Sequence, residues 1–562
     1  MRAPMASLYV NAPVMVTRRQ LLSHMALVPF APRLLHALGQ SAPGADERAD
    51  LVIIGGGLGG CAAALSACAH GLRVIMTEET DWIGGQLTAQ GVPPDENRWI
   101  ETIGGTASYR GLRSAVRDQY RRDPALLERA RTNARLNPGN GWVSRLCAEP
   151  RAWLTALEAQ LAPYIASGAL RVLSHTRAAA VDVTGDRIRA VRVQDASGRT
   201  TVLHAPYFAD ATELGDLLPL SNAEHVLGAE SQAMTGEPHA AGEYQPDNQQ
   251  SFTMVFAMEH MAGEQHVIDR PAEYARWRAQ TVSVDGTPWP ILGFDEPANK
   301  RIGFDPVART GYWSYRRIID RTLFTAGKYA SDITLVNWWQ NDYSFGPLAG
   351  VSATEAAQHV RSAKALSLCL LYWLQTEAPR PDGGAGWPGL RLRTDVLGTA
   401  DGLAMAPYIR ESRRVRARTT VREQDVLRDL NPSGAQTTAF ADSVGIGHYA
   451  MDLHRTTRGD TGGYGDTLPF QIPLGALIPV RLRNLLPACK NIGVTHLTNG
   501  CYRLHPIEWN IGEAVGHLVA QSLATRVPPV GIHEQRARTE DLQRTLTAAG
   551  VPLAWPTPLP AG

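Results

Sequence analysis

Asp50-Leu51-Val52-Ile53-Ile54 runs directly into Gly55-Gly56-Gly57-Leu58-Gly59-Gly60 and then into Cys61-Ala62-Ala63-Ala64-Leu65-Ser66-Ala67-Cys68-Ala69. The short apolar run reads as a buried parallel strand. The glycines match G-x-G-x-x-G, and the small-residue run reads as a helix able to lie close on a sheet. Gly71 ends that helix, Leu72 to Thr77 reads as a second strand, and Glu78 stands at its end. Each part has a mechanical role: Gly55 permits a tight turn, Gly57 lets a phosphate approach the backbone, and Gly60 allows close helix–strand packing. The helix N-terminus offers unpaired N–H groups and the positive end of its dipole to a pyrophosphate. Glu78 can accept hydrogen bonds from ribose hydroxyls and would repel a 2′-phosphate, which argues against NADP. A second match, Gly384 to Gly389, follows Pro379-Arg380-Pro381-Asp382 rather than a strand. Pro388 would spoil a helix start there, so it reads as a loop. The sequence therefore carries one dinucleotide fold and no second one for NAD(P)H.

The rest of the composition excludes more than it selects. Lys+Arg 55 against Asp+Glu 54 gives a net charge of +1, which removes the bulk electrostatic case for nucleic acid. With 44% apolar and 19% charged residues, the 562-residue chain can bury a large core. Six cysteines without a C-x-x-C pair give no support to zinc or thioredoxin-like chemistry, and no metal is expected. The most apolar run, Leu366 to Leu374, lies in a helical pattern from Thr354 to Thr376 that carries Glu355, Arg361 and Lys364. That is a core helix rather than a membrane span. Thr17-Arg18-Arg19-Gln20-Leu21-Leu22, a mildly apolar stretch to Leu38 and the small-residue site Ala37-Leu38-Gly39 resemble a twin-arginine export signal. Residues 1–45 are thus expected to be a leader and the protein to be exported, periplasmic or extracellular. The alternative is a tail that happens to carry Arg-Arg. No G-x-S-x-G, S-x-x-K, H-E-x-x-H or Walker-type motif appears, so hydrolase and nucleotide-triphosphate readings lack support.

Three later segments sharpen the cofactor, and a fourth, Tyr408 to Arg414, adds to a family resemblance. Trp82-Ile83-Gly84-Gly85-Gln86-Leu87-Thr88 follows Glu78. A strand from Leu203 to Ala209 leads into Asp210-Ala211-Thr212. Tyr408-Ile409-Arg410-Glu411-Ser412-Arg413-Arg414 comes next. A late strand, Asn484 to Cys489, leads through Thr495-His496 and Gly500 into a helix from Pro506 to Gly516. Together these resemble the bacterial FAD-dependent oxidoreductases with a glutathione-reductase-type FAD domain, distantly like the succinate dehydrogenase and fumarate reductase flavoproteins. The resemblance runs over roughly residues 49 to 525. It implies an α/β fold with a Rossmann-like FAD-binding domain in two parts, 46–225 and 440–530. An inserted α+β substrate-covering region fills 226–439, and a helix with a Pro-rich tail fills 531–562. It implies non-covalent FAD held by Gly55, Gly57, Gly60, Glu78, Gly85, Gln86, Leu87, Asp210, Thr212, Asn491 and Gly512. Two departures stand out. Glu213 takes the place of a glycine that many relatives have after D-A-T, and Cys489-Lys490-Asn491 stands where many FAD enzymes have Asp. The ribityl contact then falls to Lys490 or Asn491.

Oxidising a C–H bond next to O–H or N–H sends hydride to flavin N5 and a proton to a base. The helix starting at Pro506 is the candidate to stabilise charge on the reduced ring. Arg503 and His505 flank that start. His505 reads as a base or substrate ligand, or as a helix-start hydrogen bonder without catalytic duty, with His448 and His454 in reserve. Arg410, Arg413 and Arg414 read as an anion or carbonyl site, or as a salt-bridged turn. His448, Asp452 and His454 lack the fixed geometry a metal needs. Trp338, Trp339, Asn341, Asp342 and Tyr343 suit stacking on a ring, or a core strand with a polar turn. The expected protein is a FAD-dependent dehydrogenase or oxidase of a small organic substrate, with Arg410, Arg503 and His505 as catalytic candidates. Its electron acceptor could be oxygen, a quinone or a carrier protein. A flavin-binding protein without turnover and a FAD-dependent hydroxylase are the alternatives.

Overall fold

In the computed structural model, residues 46–284, 286–294, 302–431, 437–460 and 462–560 are described. The leader expected at residues 1–45 lies outside them. Along the chain, β1 (Leu51–Ile54), α1 (Leu58–Ala69) and β2 (Val74–Thr77) form the first β-α-β unit. α2 (Pro150–Ala166), β3 (Leu170–Leu173) and β4 (Tyr207–Asp210) follow. The middle of the chain supplies β5 (Phe256–His260), β6 (Arg317–Ile319), β7 (Ile333–Val336), α3 (Ala353–Thr376) and β8 (Leu390–Leu392). Then come β9 (Met451–Leu453), β10 (Leu485–Pro487), α4 (His496–Tyr502) and α5 (His505–Thr525).

The strands β10-β4-β1-β2-β3 form one sheet in that order, every pair parallel. This is the Rossmann-like α/β architecture the glycine turn predicts. Every residue of β1, β2 and β4 is buried, as strands covered on both faces must be. Asp210 pairs with both Ile54 and Pro487, so the carboxyl ends of β1, β4 and β10 meet there. Ligands of open α/β sheets bind outside those ends. The strand expected across Leu203 to Ala209 is two strands. Thr200–His204 belongs to an antiparallel sheet and β4 to the parallel one. Pro206 between them has no N–H to give to a ladder, so pairing changes sheets at that point.

β6-β7-β5-β8 form an antiparallel sheet. α3 shares a core with it through Leu366, Leu370 and Leu374, along with Trp277, Trp313 and Trp338. Trp338 and Tyr343 belong to that core, and Asn341 Nδ2 donates to the carbonyls of Val336 and Met254 at 3.1 and 3.3 Å. This is the core strand with a polar turn rather than a stacking surface. Gly384 to Gly389 is a loop, as its prolines require. No described helix is long and apolar enough to cross a membrane.

One packing contact sets up the functional region. A Cβ on Gly512 would collide with the Gly59 carbonyl, and one on Gly516 with Ser66 and the Ala63 carbonyl. Two bare helix faces therefore let α5 lie directly on α1, with Gly512 as a packing residue. The contact carries Glu508, near the start of α5, to the glycine turn: its Oε1 accepts from Gly59 N at 3.3 Å.

Candidate functional site

The turn after β1 is built as its glycines require. Gly55 has φ +101°, and a Cβ there would lie 2.5 Å from the Ala211 carbonyl carbon. At Gly60 a Cβ would strike the Gly55 carbonyl and stand 3.2 Å from Ala211 Cβ. Gly60 thus serves packing, as read from the sequence. A second glycine pair, Gly84 (φ +103°) and Gly85 (φ +48°), folds onto the first, with Gly84 N donating to Gly56 O at 2.7 Å. Leu87 is buried beneath it. Gln86 donates to the Arg503 carbonyl at 3.1 Å and to Glu508, while its own Oε1 has no partner. Glu78 is buried at the end of β2 and pushed up to about 7 by that burial. Its Oε1 accepts from Thr80 N and Oγ1 at 2.8 and 2.7 Å, and its Oε2 faces Gly56.

Three other expected cofactor contacts spend their side chains on bracing. Asp210 accepts from Thr212 N and Oγ1 (3.1 and 2.7 Å) and from Leu217 N (2.9 Å). Burial lifts its carboxyl to about 7. Asn491 donates to Asp210 O at 3.0 Å and accepts from Cys489 N at 3.2 Å. Where three strand ends converge, buried polar groups must find partners, and these side chains supply them to the backbone behind Gly55.

The two departures found in the sequence meet each other. Lys490 Nζ is ion-paired to Glu213 Oε2 and lies 3.6 Å from Cys489 Sγ. Burial works against the ammonium, but Cys489, Glu213 and Glu508 outweigh it and hold it protonated. Among the described residues, Glu213, Cys489 and Glu508 are the one set whose ligand atoms lie close enough for a metal ion. The Lys490 ammonium already supplies the positive charge they need. This cradle fits FAD. Glu213 Oε1 and Gln86 Oε1 are buried acceptors without partners, and Glu78 Oε2 is turned inward. Ribose and ribityl chains offer hydroxyl donors to match.

At the start of α5, His505 is fully buried, and its Nδ1 accepts from Asp95 N at 3.0 Å. Burial first, then Arg316, Arg503 and Lys490, hold the ring well below the usual histidine range, against a smaller opposing pull from the Val92 carbonyl. The ring is thus neutral, and the hydrogen-bond network assigns its proton to Nε2. That Nε2 has no partner. Of the roles the sequence leaves open for His505, this tautomer favours a donor to ligand over a base. Arg503 donates to Tyr408 Oη at 2.9 Å and to Asp452 O at 3.1 Å, leaving its Nε unpartnered. Arg316 and Asp95 complete the group, and no local motif marks either in the sequence. Tyr315 and Tyr449 are half-buried and the Asp452 side chain is 31% exposed, marking the side open to solvent.

The basic cluster behaves differently. Arg410 pairs with Asp342 at 2.8 Å and donates to Ser251 O, Thr253 Oγ1 and Asn337 Oδ1 at 3.0, 3.0 and 3.1 Å. Arg414 pairs with Glu411 and Glu230 at 2.6 and 3.0 Å, and Arg413 with Asp216 at 3.3 Å. The anion-site reading of this cluster is corrected: acids from distant segments neutralise all three. Asp342 Oδ2 also takes His454 Nδ1 at 2.5 Å. Burial pushes Asp342 up, but Arg410 and His454 outweigh it and hold the carboxyl far below its usual range. His454 Nε2 stands 3.4 Å from Asp452 Oδ2. His448 packs edge-on to Trp99 at 5.1 Å, pushed down to about 4 by burial.

Similarity to solved structures is low. An anhydrotetracycline hydroxylase from Streptomyces rimosus is 13% identical, with 90% of this chain and 67% of that one covered and a TM-score of 0.31. A myxobacterial chondrochloren halogenase is 16% identical over 39% of this chain and 45% of that one (TM-score 0.21). The L-proline dehydrogenase from P. horikoshii is 16% identical over 34% and 26% (TM-score 0.18). The chain thus spans less than half the length of the latter two. No curated protein matches it. The family described as FAD dependent oxidoreductase matches residues 50–546, from β1 to beyond α5, and the chain belongs to that family.

Proposed function

We propose that this oxidoreductase holds FAD non-covalently and oxidises a small organic substrate, passing the electrons on to oxygen, a quinone or a carrier protein. The observation that carries the reading is the set of buried donors without partners at the start of α5, His505 Nε2 and Arg503 Nε. α5 packs against the glycine turn, so that set adjoins the cradle. FAD, once bound, supplies a two-electron acceptor that takes hydride at N5. Glu78 Oε2 would hold the ribose, the bare turn at Gly57 would admit the pyrophosphate beside the Gly59 amide that Glu508 occupies, and Glu213 with Lys490 would take the ribityl hydroxyls. The N-terminus of α5 and the His505 Nε2–H would face the pyrimidine edge, where donors stabilise developing negative charge. The proton acceptor is His454. Asp342 holds its Nδ1 at 2.5 Å and Asp452 Oδ2 stands 3.4 Å from its Nε2, so the proton would pass to this imidazole–carboxylate pair. In this reading segments 46–225 and 440–530 carry FAD, residues 226–439 cover the substrate, and 531–562 form the closing helix and tail. The mature protein works outside the cytoplasm after twin-arginine export.

The test is an anaerobic screen of organic donors against purified holoprotein, following bleaching of the flavin band near ~450 nm. A donor that bleaches the band supports the reading. A protein that neither carries nor takes up FAD, or whose FAD no donor reduces, contradicts it. Denaturation should release the flavin, and flavin that stays on the chain would mean a covalent link. Changing Arg18 and Arg19 to Lys should retain full-length precursor in the cytoplasm, and unaffected export would remove the localisation.

A further inference from the structure

Arg316 and Arg317 are neighbours with opposite fates. Arg317 donates to Gly139 O at 2.6 Å and pairs with Asp332 at 3.0 Å. Arg316 is buried as deeply, yet its contacts to Pro93 O, Asp95 Oδ1 and Tyr315 Oη are all 3.4 Å, and its Nε has no partner. A buried guanidinium with five donors and only long contacts is an unmet demand for an anion. Asp95 meets it only weakly, because its carboxylate reaches Arg316 at no closer than 3.4 Å. The guanidinium is also held in place: its Cζ lies 4.9 Å from the centre of the Tyr315 ring, which packs 4.3 Å from that of Trp142.

We propose that Arg316 is the receptor for a carboxylate on the substrate, a reading that rests on the proposed function. Arg316 comes from the middle of the chain, just before β6, while His505 and Arg503 come from the α5 side. Donors from two separate segments meet, so one can hold the substrate while the other meets the ring. Planar, forked guanidinium donors match a carboxylate in two parallel hydrogen bonds. A doubly charged phosphate would meet Asp95 and Asp452 beside the same site, and a singly charged carboxylate is the better complement.

Binding is measured on oxidised holoprotein, without turnover, by flavin difference spectra and calorimetry. The probes are lactate, malate, succinate and benzoate, each beside its neutral amide. At least one acid should bind, and its amide should bind at least ~10-fold more weakly. Arg316→Gln should keep its FAD and melting temperature while weakening the acid by roughly 30-fold or more. Arg316→Lys should recover part of the loss as a point charge. The proposal is overturned if none of the four acids binds, if acid and amide bind alike, or if Arg316→Gln binds as wild type. If Arg316→Gln fails to fold, the acid–amide comparison on the wild type still decides. Carboxylate binding to a protein whose flavin no donor reduces would break the proposed function and leave this assignment standing. Flavin reduction by donors with no carboxylate preference would do the reverse.

Discussion

Among the described residues, two Arg–Asp–His groups differ in how closely they are held. In Arg410–Asp342–His454 the ion pair is 2.8 Å and the imidazole contact 2.5 Å. In Arg316–Asp95–His505 the ion pair stretches to 3.4 Å, and both Arg316 Nε and His505 Nε2 lack partners. The two arginines are buried almost equally, at 2% and 6% exposure. Burial alone therefore does not mark a ligand site. What separates the groups is contact length: Nε is unpartnered in both arginines, but Arg410 makes four contacts of 2.8–3.1 Å, whereas every contact of Arg316 is 3.4 Å.

The comparison breaks most visibly at Asp342. Asp342→Ala leaves Arg410 buried without its counter-charge and should cost about 3–5 kcal/mol in denaturant unfolding. A loss under about 1 kcal/mol would mean that this group is not closely held. His454 is the one member of that group proposed to reach substrate. His454→Ala should slow anaerobic flavin reduction by ~10²–10⁴. His505→Ala should slow reduction without changing the shape of the pH profile, because a neutral donor does not titrate there. A His454→Ala variant that reduces its flavin as fast as wild type would remove His454 from the proton path. The smallest effect concerns His448, half-buried against Trp99, where burial and then Arg98 disfavour its charged form. Its folded-state value of about 4 lies below the ordinary 6.5. Between those values the unfolded chain takes the proton first, so stability is full above pH ~6.5 and falls as the pH drops towards 4. The loss should be on the order of 2–3 kcal/mol, and His448→Phe should flatten that part of the stability profile. An unchanged profile would place the titration elsewhere.

Local features were legible in the sequence and long-range ones were not. The glycine turn, the small-residue helix and Glu78 lie within one β-α-β unit, so spacing alone exposes them. Gly512 was legible as a small helix position, but its collision partner, the Gly59 carbonyl, lies across a helix crossing that only the fold creates. Glu213 and Lys490 were visible as separate departures, and nothing local says that one neutralises the other. The dense Arg410 to Arg414 cluster reads as an anion site or a salt-bridged turn; its pairing with Glu411 is local, while the fold brings Asp342, Glu230 and Asp216 to it from far along the chain. Arg316 has the opposite history. It is ordinary in sequence, and its significance is the absence of close partners, which no spacing records.

The most direct measurement of this account is a structure of the protein with FAD and a bound carboxylate. The account predicts that His505 Nε2 and the Arg316 guanidinium each gain a ligand partner at ~2.7–3.2 Å, while the four contacts of Arg410 stay as they are. A flavin ring more than ~10 Å from His505, beyond hydrogen-bond reach even through one water, with Arg316 still held only by its 3.4 Å contacts, would contradict it.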